Sequence, residues 1–232
     1  MIYKFCKRAF DLICSAAAIL VSLPIWAVVA IGIKLSSKGP IFYRADRVGQ
    51  NGKLFTMYKF RSMHVFQPEN GSEKKTEGGY IANAQRIFPL GNFLRKSKID
   101  ELPQLINILR GDMSVVGPRP VSTGAVAKNY QGEYACILDV RPGLACLDSI
   151  YDYAHGELFV KDNEEYKRTV LPVRTELAKM YVKEATFGMD LAIIFRTVWL
   201  IIAIVAKKRD FPYTKYEKRA METVFGKTEA QL

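Results

Sequence analysis

Residues 12–33, LICSAAAILVSLPIWAVVAIGI, contain no charged side chain. This run limits the chain's options more than any other stretch, because backbone groups placed in lipid must be hydrogen-bonded internally and a helix does that locally. Its length is close to a bilayer core, which takes roughly 20 apolar residues. Lys4, Lys7 and Arg8 precede the run and Lys34 and Lys38 follow it, so little charge asymmetry is left to orient a crossing. Pro24 stands near the middle, two residues after Ser22, where it removes a helical hydrogen bond and bends the helix. The expectation is a re-entrant membrane helix-break-helix with its break at Ser22–Pro24. Such a helix enters one leaflet and returns, leaving both basic ends on an anionic surface. A single ordinary span is the alternative. A cleaved signal peptide fits less well, because Lys34 and not a small-residue site follows the run.

The 232 residues suffice for one domain with a core. Apolar residues make up 49% of the chain beside 25% charged, at a mean hydropathy near zero, so the apolar side chains are concentrated in segments. The 34 basic against 23 acidic residues give a net +11, which asks for an anionic partner: nucleic acid, a membrane surface or phosphate-bearing substrates. No nucleic-acid-binding motif is present, and the positive charge flanks membrane-like runs. An anionic phospholipid membrane is therefore the expected partner, and nucleic acid is not. Cys6, Cys14, Cys136 and Cys146 lack metal-ligand spacing and read as free thiols in a reducing compartment. Two histidines, His64 and His155, leave no room for a histidine-rich metal site.

The chemistry concentrates in Arg95–Pro120, RKSKIDELPQLINILRGDMSVVGPRP. Two adjacent carboxylates, Asp100 and Glu101, lie between Arg95, Lys96 and Lys98 on one side and Arg119 on the other. Leu102, Leu105, Ile106 and Leu109 recur at helical spacing, and Gly111 stops the helix. With Asp100 as N-cap, Pro103 falls in the first turn, where a missing N–H is harmless; Ser97 and Asp100 also fit a capping box. Both acids then lie at the positive end of a helix, which keeps them ionised and attracts phosphate. Ordinary helix punctuation accounts for the pair equally well. Gly117-Pro118-Arg119-Pro120 tips the balance, since two fixed φ angles around one arginine restrict its side chain. A guanidinium held beside ionised acids suits a phosphate, with a divalent metal offsetting the carboxylate charge.

DELPQLINILRGDMSVVGPRP resembles the signature of the bacterial sugar transferases called small monotopic phosphoglycosyl transferases, and YKFRSM at 58–63 matches a second motif of that family. The resemblance implies transfer of a phosphosugar from a nucleotide-diphosphate sugar, a UDP-sugar by expectation, to polyprenol (undecaprenyl) phosphate. It implies a covalent phosphosugar on Asp100 and release of nucleoside monophosphate, as the first membrane step of polysaccharide or glycoconjugate assembly. Asp100 is then the catalytic nucleophile and Glu101 its acidic partner, with Mg²⁺ on Glu101 assisted by Asp100. Arg119, Arg95, Lys59, Arg61 and Arg141 are the expected phosphate contacts. The implied address is the cytoplasmic face of a bacterial inner membrane, and a homodimer is left open.

Around these motifs the chain divides into 1–36, a basic N-terminal helix with the re-entrant segment; 37–206, a mixed α/β, helix-rich catalytic domain; and 207–232, a basic, weakly ordered tail. IFYR and LFTMYKF, bounded by Gly39-Pro40 and centred on Asn51-Gly52, predict a small β-hairpin. Residues 67–83 read as a polar loop and 121–140 as a helix. At 141–157, RPGLACLDSIYDYAHGE departs from the family's neutral and basic pattern; Asp148, Asp152, His155 and Glu157 suggest either a loop reading sugar hydroxyls or a merely solvated one. Residues 157–190 predict helices with Leu171, Leu177, Met180 and Tyr181 as a buried stripe. The run 191–206 is short for a span and holds Arg196, so an interfacial helix is expected, with Arg196 reaching outward, Trp199 at the boundary and Asp190 as cap. A non-catalytic basic membrane scaffold and a glycosyltransferase moving the sugar alone are the competing readings.

Overall fold

The structure is a computed structural model and describes residues 2–65, 86–156, 159–160 and 162–226; the 67–83 loop and Glu157 lie outside these. The elements run α1 (Ile2–Ser36), β1 (Phe42–Val48), β2 (Leu54–Phe60), α2 (Pro89–Lys96), α3 (Gln104–Arg110), β3 (Ser114–Val116), α4 (Thr123–Asn129), β4 (Gly143–Ala145), α5 (Leu147–Tyr151), α6 (Asn163–Thr169), α7 (Leu171–Glu184), α8 (Phe187–Val205) and α9 (Lys215–Phe225). The mixed, helix-rich character and the hairpin agree with the sequence. β1 and β2 pair antiparallel from Phe42↔Phe60 to Val48↔Leu54, with Asn51 and Gly52 taking the positive φ values of the turn.

The first correction concerns α1. It is one helix of 35 residues with Pro24 inside it, about 52 Å long at 1.5 Å per residue, and Ser22–Pro24 does not interrupt it. Asp11, Ser15, Ser22, Val29 and Ile33 are buried at helical spacing on both sides of the proline. Tertiary packing thus carries the helix across the hydrogen bond that proline lacks. Ser22 bonds locally, donating to the Ile19 carbonyl at 3.2 Å and accepting the Trp26 indole N–H at 3.0 Å. Polar anchors fix the same stripe to the globule. Asp11 accepts from Val115 N–H at 2.9 Å and the Ser114 hydroxyl at 3.0 Å, and Arg8 donates to the Ile108 carbonyl at the end of α3 at 2.7 Å. The remaining faces expose Phe5, Ile13, Leu20, Val21, Val28 and Ile31. By length and composition both α1 and α8 could cross a membrane.

Further differences have local causes. Asp190 is not the cap of α8; Thr186 is. Asp190 is instead buried and ties three helices, accepting from Tyr3 at 2.9 Å, Lys7 at 2.8 Å and Tyr181 at 2.7 Å. Residues 121–140 form α4 and a separate 3₁₀ segment, Gly132–Asp139, divided where Gly132 takes φ 58°. The C-terminal segment contains an ordered helix, α9, started by a Thr214–Glu217 capping box and buried on the core through Ala220 and Met221. Leu177, Met180 and Tyr181 are buried as expected.

The largest departure is at 144–157. Its residues up to Gly156 form β4, α5 and the π turn Asp152–Gly156, and the acids are buried. Arg174 of α7 lies 3.2 Å from Asp152 and 3.7 Å from Asp148, and the Tyr166 hydroxyl donates to Asp152 at 2.6 Å. Burial works against the charge on Arg174, but Asp152, Tyr166 and Asp148 outweigh it and hold the guanidinium protonated. Removing one partner of such a buried network leaves uncompensated charge. Arg174→Met should therefore cost about 3–5 kcal/mol in denaturant unfolding of the detergent-solubilised protein. Adding Asp148→Asn and Asp152→Asn should recover part of that loss.

Candidate active site

The acid pair owes its position to the turn before α3. α2 ends at Ser97, whose hydroxyl donates back to the Phe93 carbonyl at 2.8 Å, so the expected capping box does not form. Lys98 then takes φ 56°, uncommon for a residue with a Cβ. Asp100 is not an N-cap: Ile99–Glu101 is a 3₁₀ turn and α3 starts at Gln104, with Pro103 before it. Without an N–H on Pro103, no bond can run from it to the Ile99 carbonyl, and Leu102 N–H takes that carbonyl at 3.2 Å instead. The chain winds tighter than an α-helix here and turns both carboxylates inward. Asp100 is 4% and Glu101 7% exposed. In α3 itself Leu105 and Ile108 are buried and Leu109 is exposed, a shift of the expected stripe.

Three other segments converge on this turn. Asn107 of α3 covers the open edge of β2, accepting Tyr58 N–H at 3.2 Å and donating to the Thr56 carbonyl at 2.8 Å. Phe55, Met57 and Lys59 alternate onto one face of β2; the first two are buried, and Lys59 reaches Glu101 Oε1 at 2.8 Å. β3 and β4 pair in parallel, and Gly117 and Gly143 meet back to back. A Cβ on Gly117 would lie 2.3 Å from the Arg141 carbonyl oxygen, and one on Gly143 2.2 Å from Gly117 N. That close approach sets the start of Pro118-Arg119-Pro120. The Arg119 backbone N–H donates to Asp148 at 3.3 Å, and its guanidinium reaches Glu101 Oε1 at 3.0 Å.

The two acids occupy different electrostatic settings. Burial would raise both. For Glu101 the opposing charges of Lys59, then Arg119 and Lys98, win and hold it well below the usual carboxylate range. For Asp100 burial wins: Lys59, Lys98 and Arg95 offset it only in part, Glu101 adds repulsion, and its pKa is raised. Asp100 Oδ1 is buried with no hydrogen-bond partner among the described residues. An adjacent pair pushed apart in this way divides into a fixed anion and a group able to react.

Of the other residues expected here, Arg95 contributes charge at Asp100. Arg61 is engaged elsewhere: it is buried and donates to the Ser37 carbonyl at 2.7 Å and to the Lys38 carbonyl, closing the end of α1. Arg141 donates to the Gly111 carbonyl at 2.9 Å, bracing the β4 entry. His155 sits 4.4 Å from the Tyr213 ring, its pKa lowered by burial. Arg196 does not reach freely outward; its Nε and Nη2 are buried without hydrogen-bond partners among the described residues. Beside the acids, Lys98, Glu101 and Arg119 line one end of a cavity of about 170 Å³ whose other walls come from β4, α5 and α8. Sequence reasoning missed this cavity, because its α5 and α8 walls lie far along the chain from the motif.

Comparison with known proteins places the chain in a family. The family described as "Bacterial sugar transferase" matches residues 2–204. The chain is 35% identical over 201 residues to the UDP-glucose:undecaprenyl-phosphate glucose-1-phosphate transferase of Escherichia coli K12, covering 84% of this chain and 40% of that protein. It is 32% identical over 211 residues to the undecaprenyl-phosphate galactose phosphotransferase of Salmonella typhimurium LT2, covering 86% and 41%. It is 36% identical over 197 residues to the exopolysaccharide production protein PSS of Rhizobium leguminosarum bv. phaseoli, covering 83% and 92%. The chain thus spans about two fifths of the first two relatives and nearly all of the third. With the match running from the first turn of α1 to the end of α8 and taking in the acid pair, Lys59 and Arg119, the chain belongs to the bacterial sugar transferase family.

Proposed function

We propose that this protein transfers a sugar 1-phosphate from a nucleotide-diphosphate sugar, a UDP-sugar by its relatives' names, to a polyprenyl phosphate at a membrane surface. The observation that carries this reading is the unequal acid pair, with Glu101 fixed between two cations and Asp100 beside it with an unpartnered oxygen. In the first step an Asp100 carboxylate oxygen attacks the sugar-bearing phosphorus. The bond from that phosphorus to the bridging oxygen breaks, and its electron pair leaves on nucleoside monophosphate. In the second, a phosphate oxygen of the acceptor attacks the same phosphorus and the acyl-phosphate bond breaks, giving the lipid diphosphate sugar and restoring Asp100. Neither step needs a proton, which fits a site without a poised histidine. Lys59, Lys98 and Arg119 orient the diphosphate and oppose the charge that gathers in the transition state.

Mg²⁺ fits the donor set. Glu101 and Asp100 offer hard oxygens, one of them without a hydrogen-bond partner among the described residues, and such an ion is usually held by one or two carboxylates plus substrate phosphates. Bound there, it would neutralise diphosphate charge. The apolar outer faces of α1 and α8 support a membrane-bound enzyme whose site lies at headgroup depth. We read that surface as the cytoplasmic leaflet of a bacterial inner membrane. α1, unbroken at Pro24, would then lie along one leaflet without turning back through it.

Five outcomes are expected. With a panel of nucleotide sugars, polyprenyl phosphate and Mg²⁺, the released nucleotide should be the monophosphate; release of the diphosphate would mean that the sugar alone is moved. EDTA should stop turnover and added Mg²⁺ restore it. Asp100→Asn should lower kcat/KM by about 10³-fold or more with the fold retained, whereas a scaffold would be indifferent to it. In the metal-free protein, burial should place the Asp100 titration above the ordinary aspartate value of about 3.9, as read by carboxyl-carbon NMR. Removing the favourable charge in Lys59→Met should move that midpoint higher still.

A further inference from the structure

The cavity beside Glu101 is lined mainly by aliphatic side chains, Leu102, Leu144, Ile150, Leu200 and Ile201, yet Lys98 and Arg119 stand at its edge. That combination is unusual for a pocket meant only for a nucleotide sugar. A buried sugar ring brings several hydroxyls, each costly without a partner, and most polar groups here are already engaged. The Thr197 hydroxyl donates to the Ile193 carbonyl at 2.8 Å, and Asp152 holds Tyr166 and Arg174. Ser149 Oγ is the exception, buried without a partner among the described residues. One hydroxyl is a poor match for a sugar.

The volume suits something else. An aliphatic cavity of about 150 Å³ stays dry and accepts benzene, so about 170 Å³ accommodates a branched five-carbon unit. The α8 wall has a second property. Leu200 and Ile201 border the cavity, while Phe195, Val198 and Ile202 on other faces of the same helix are exposed. One helix thus presents apolar side chains both to the cavity and to the exterior, and the same cavity is lined by two cations.

We propose that this cavity takes the isoprenyl unit adjoining the phosphate of a polyprenyl phosphate, with that phosphate held at the edge between Lys98 and Arg119. The proposal rests on the reading that polyprenyl phosphate is the acceptor, and it makes α8 and α5 the elements that select the lipid. Lys98, at a left-handed φ of 56°, lines the cavity and has its ammonium 4.4 Å from the Tyr153 ring on the same wall. A phospholipid shares the anionic head but lacks the methyl-branched first unit.

Cavity-filling variants provide the test. In detergent or nanodiscs, Thr197→Phe and Leu200→Trp should raise KM for polyprenyl phosphate by about tenfold or more, for a two-isoprene acceptor as for a long one. Donor KM and the acceptor-free release of nucleoside monophosphate should stay unchanged, and Ala192→Phe, a comparable enlargement on an exposed face of α8, should match wild type. Unchanged acceptor KM in the folded filling variants, or a rise in donor KM instead, overturns the proposal. A polyprenyl phosphate carrying a diazirine on its first isoprene should label residues 197–201, competed by unlabelled polyprenyl phosphate and not by phosphatidylglycerol. Labelling elsewhere, or equal competition by the phospholipid, also overturns it. Absence of monophosphate release in wild type would instead sink the reading of the reaction, and the labelling still decides where the lipid binds.

Discussion

The site depends on one carboxylate held by two cations from distant parts of the chain. Glu101 is buried, and a buried anion persists only where opposite charge outweighs lost hydration. Lys59 arrives from the hairpin and Arg119 from the β3–α4 connection, so the anion fastens both segments to the turn before α3. Asp100, its neighbour, is thereby left in a cationic but incompletely paired environment. The setting of one carboxylate follows from the fixity of the next. The ion pairs also hold in place the turn that Pro103 winds into a 3₁₀ form, with Lys98 at a positive φ before it.

The membrane-facing elements are built around that point. α1 packs one polar-anchored stripe on the globule and leaves its other faces apolar. The N-termini of α1 and α8 are joined through Asp190 and through the edge-to-face contact of Phe10 with Phe187, 5.5 Å apart. Two apolar helices are thus fixed to one another and to the globule that carries the acid-pair turn. On the proposed transfer to a lipid phosphate, that attachment is what would set the height of the site at a membrane surface.

Local signals in the sequence were reliable where local physics decides. Asn51-Gly52 between alternating apolar residues specified the hairpin, and of the basic residues expected beside the adjacent acids, Lys59 and Arg119 do meet Glu101. Long-range pairing was not legible. Asp148 and Asp152 read as a polar loop because their partner, Arg174, lies on α7 and cannot be inferred from spacing. Asp190 read as a cap for the same reason; its partners are Tyr3, Lys7 and Tyr181. Arg61 and Arg141 looked like phosphate ligands by charge and motif, but backbone carbonyls at Ser37 and Gly111 hold them. Pro24 suggested an interruption, yet packing on both sides of it kept α1 whole.

The central claim is that Asp100 becomes covalently bonded to the phosphosugar. The most direct measurement is intact-protein and peptide mass spectrometry after brief exposure to a competent nucleotide sugar and Mg²⁺ with no lipid acceptor. The account predicts a mass increase of one phosphosugar, located on the peptide containing Asp100 and discharged on adding polyprenyl phosphate. A protein that turns over steadily yet carries no such adduct under rapid quench, or carries it on a residue other than Asp100, would contradict it.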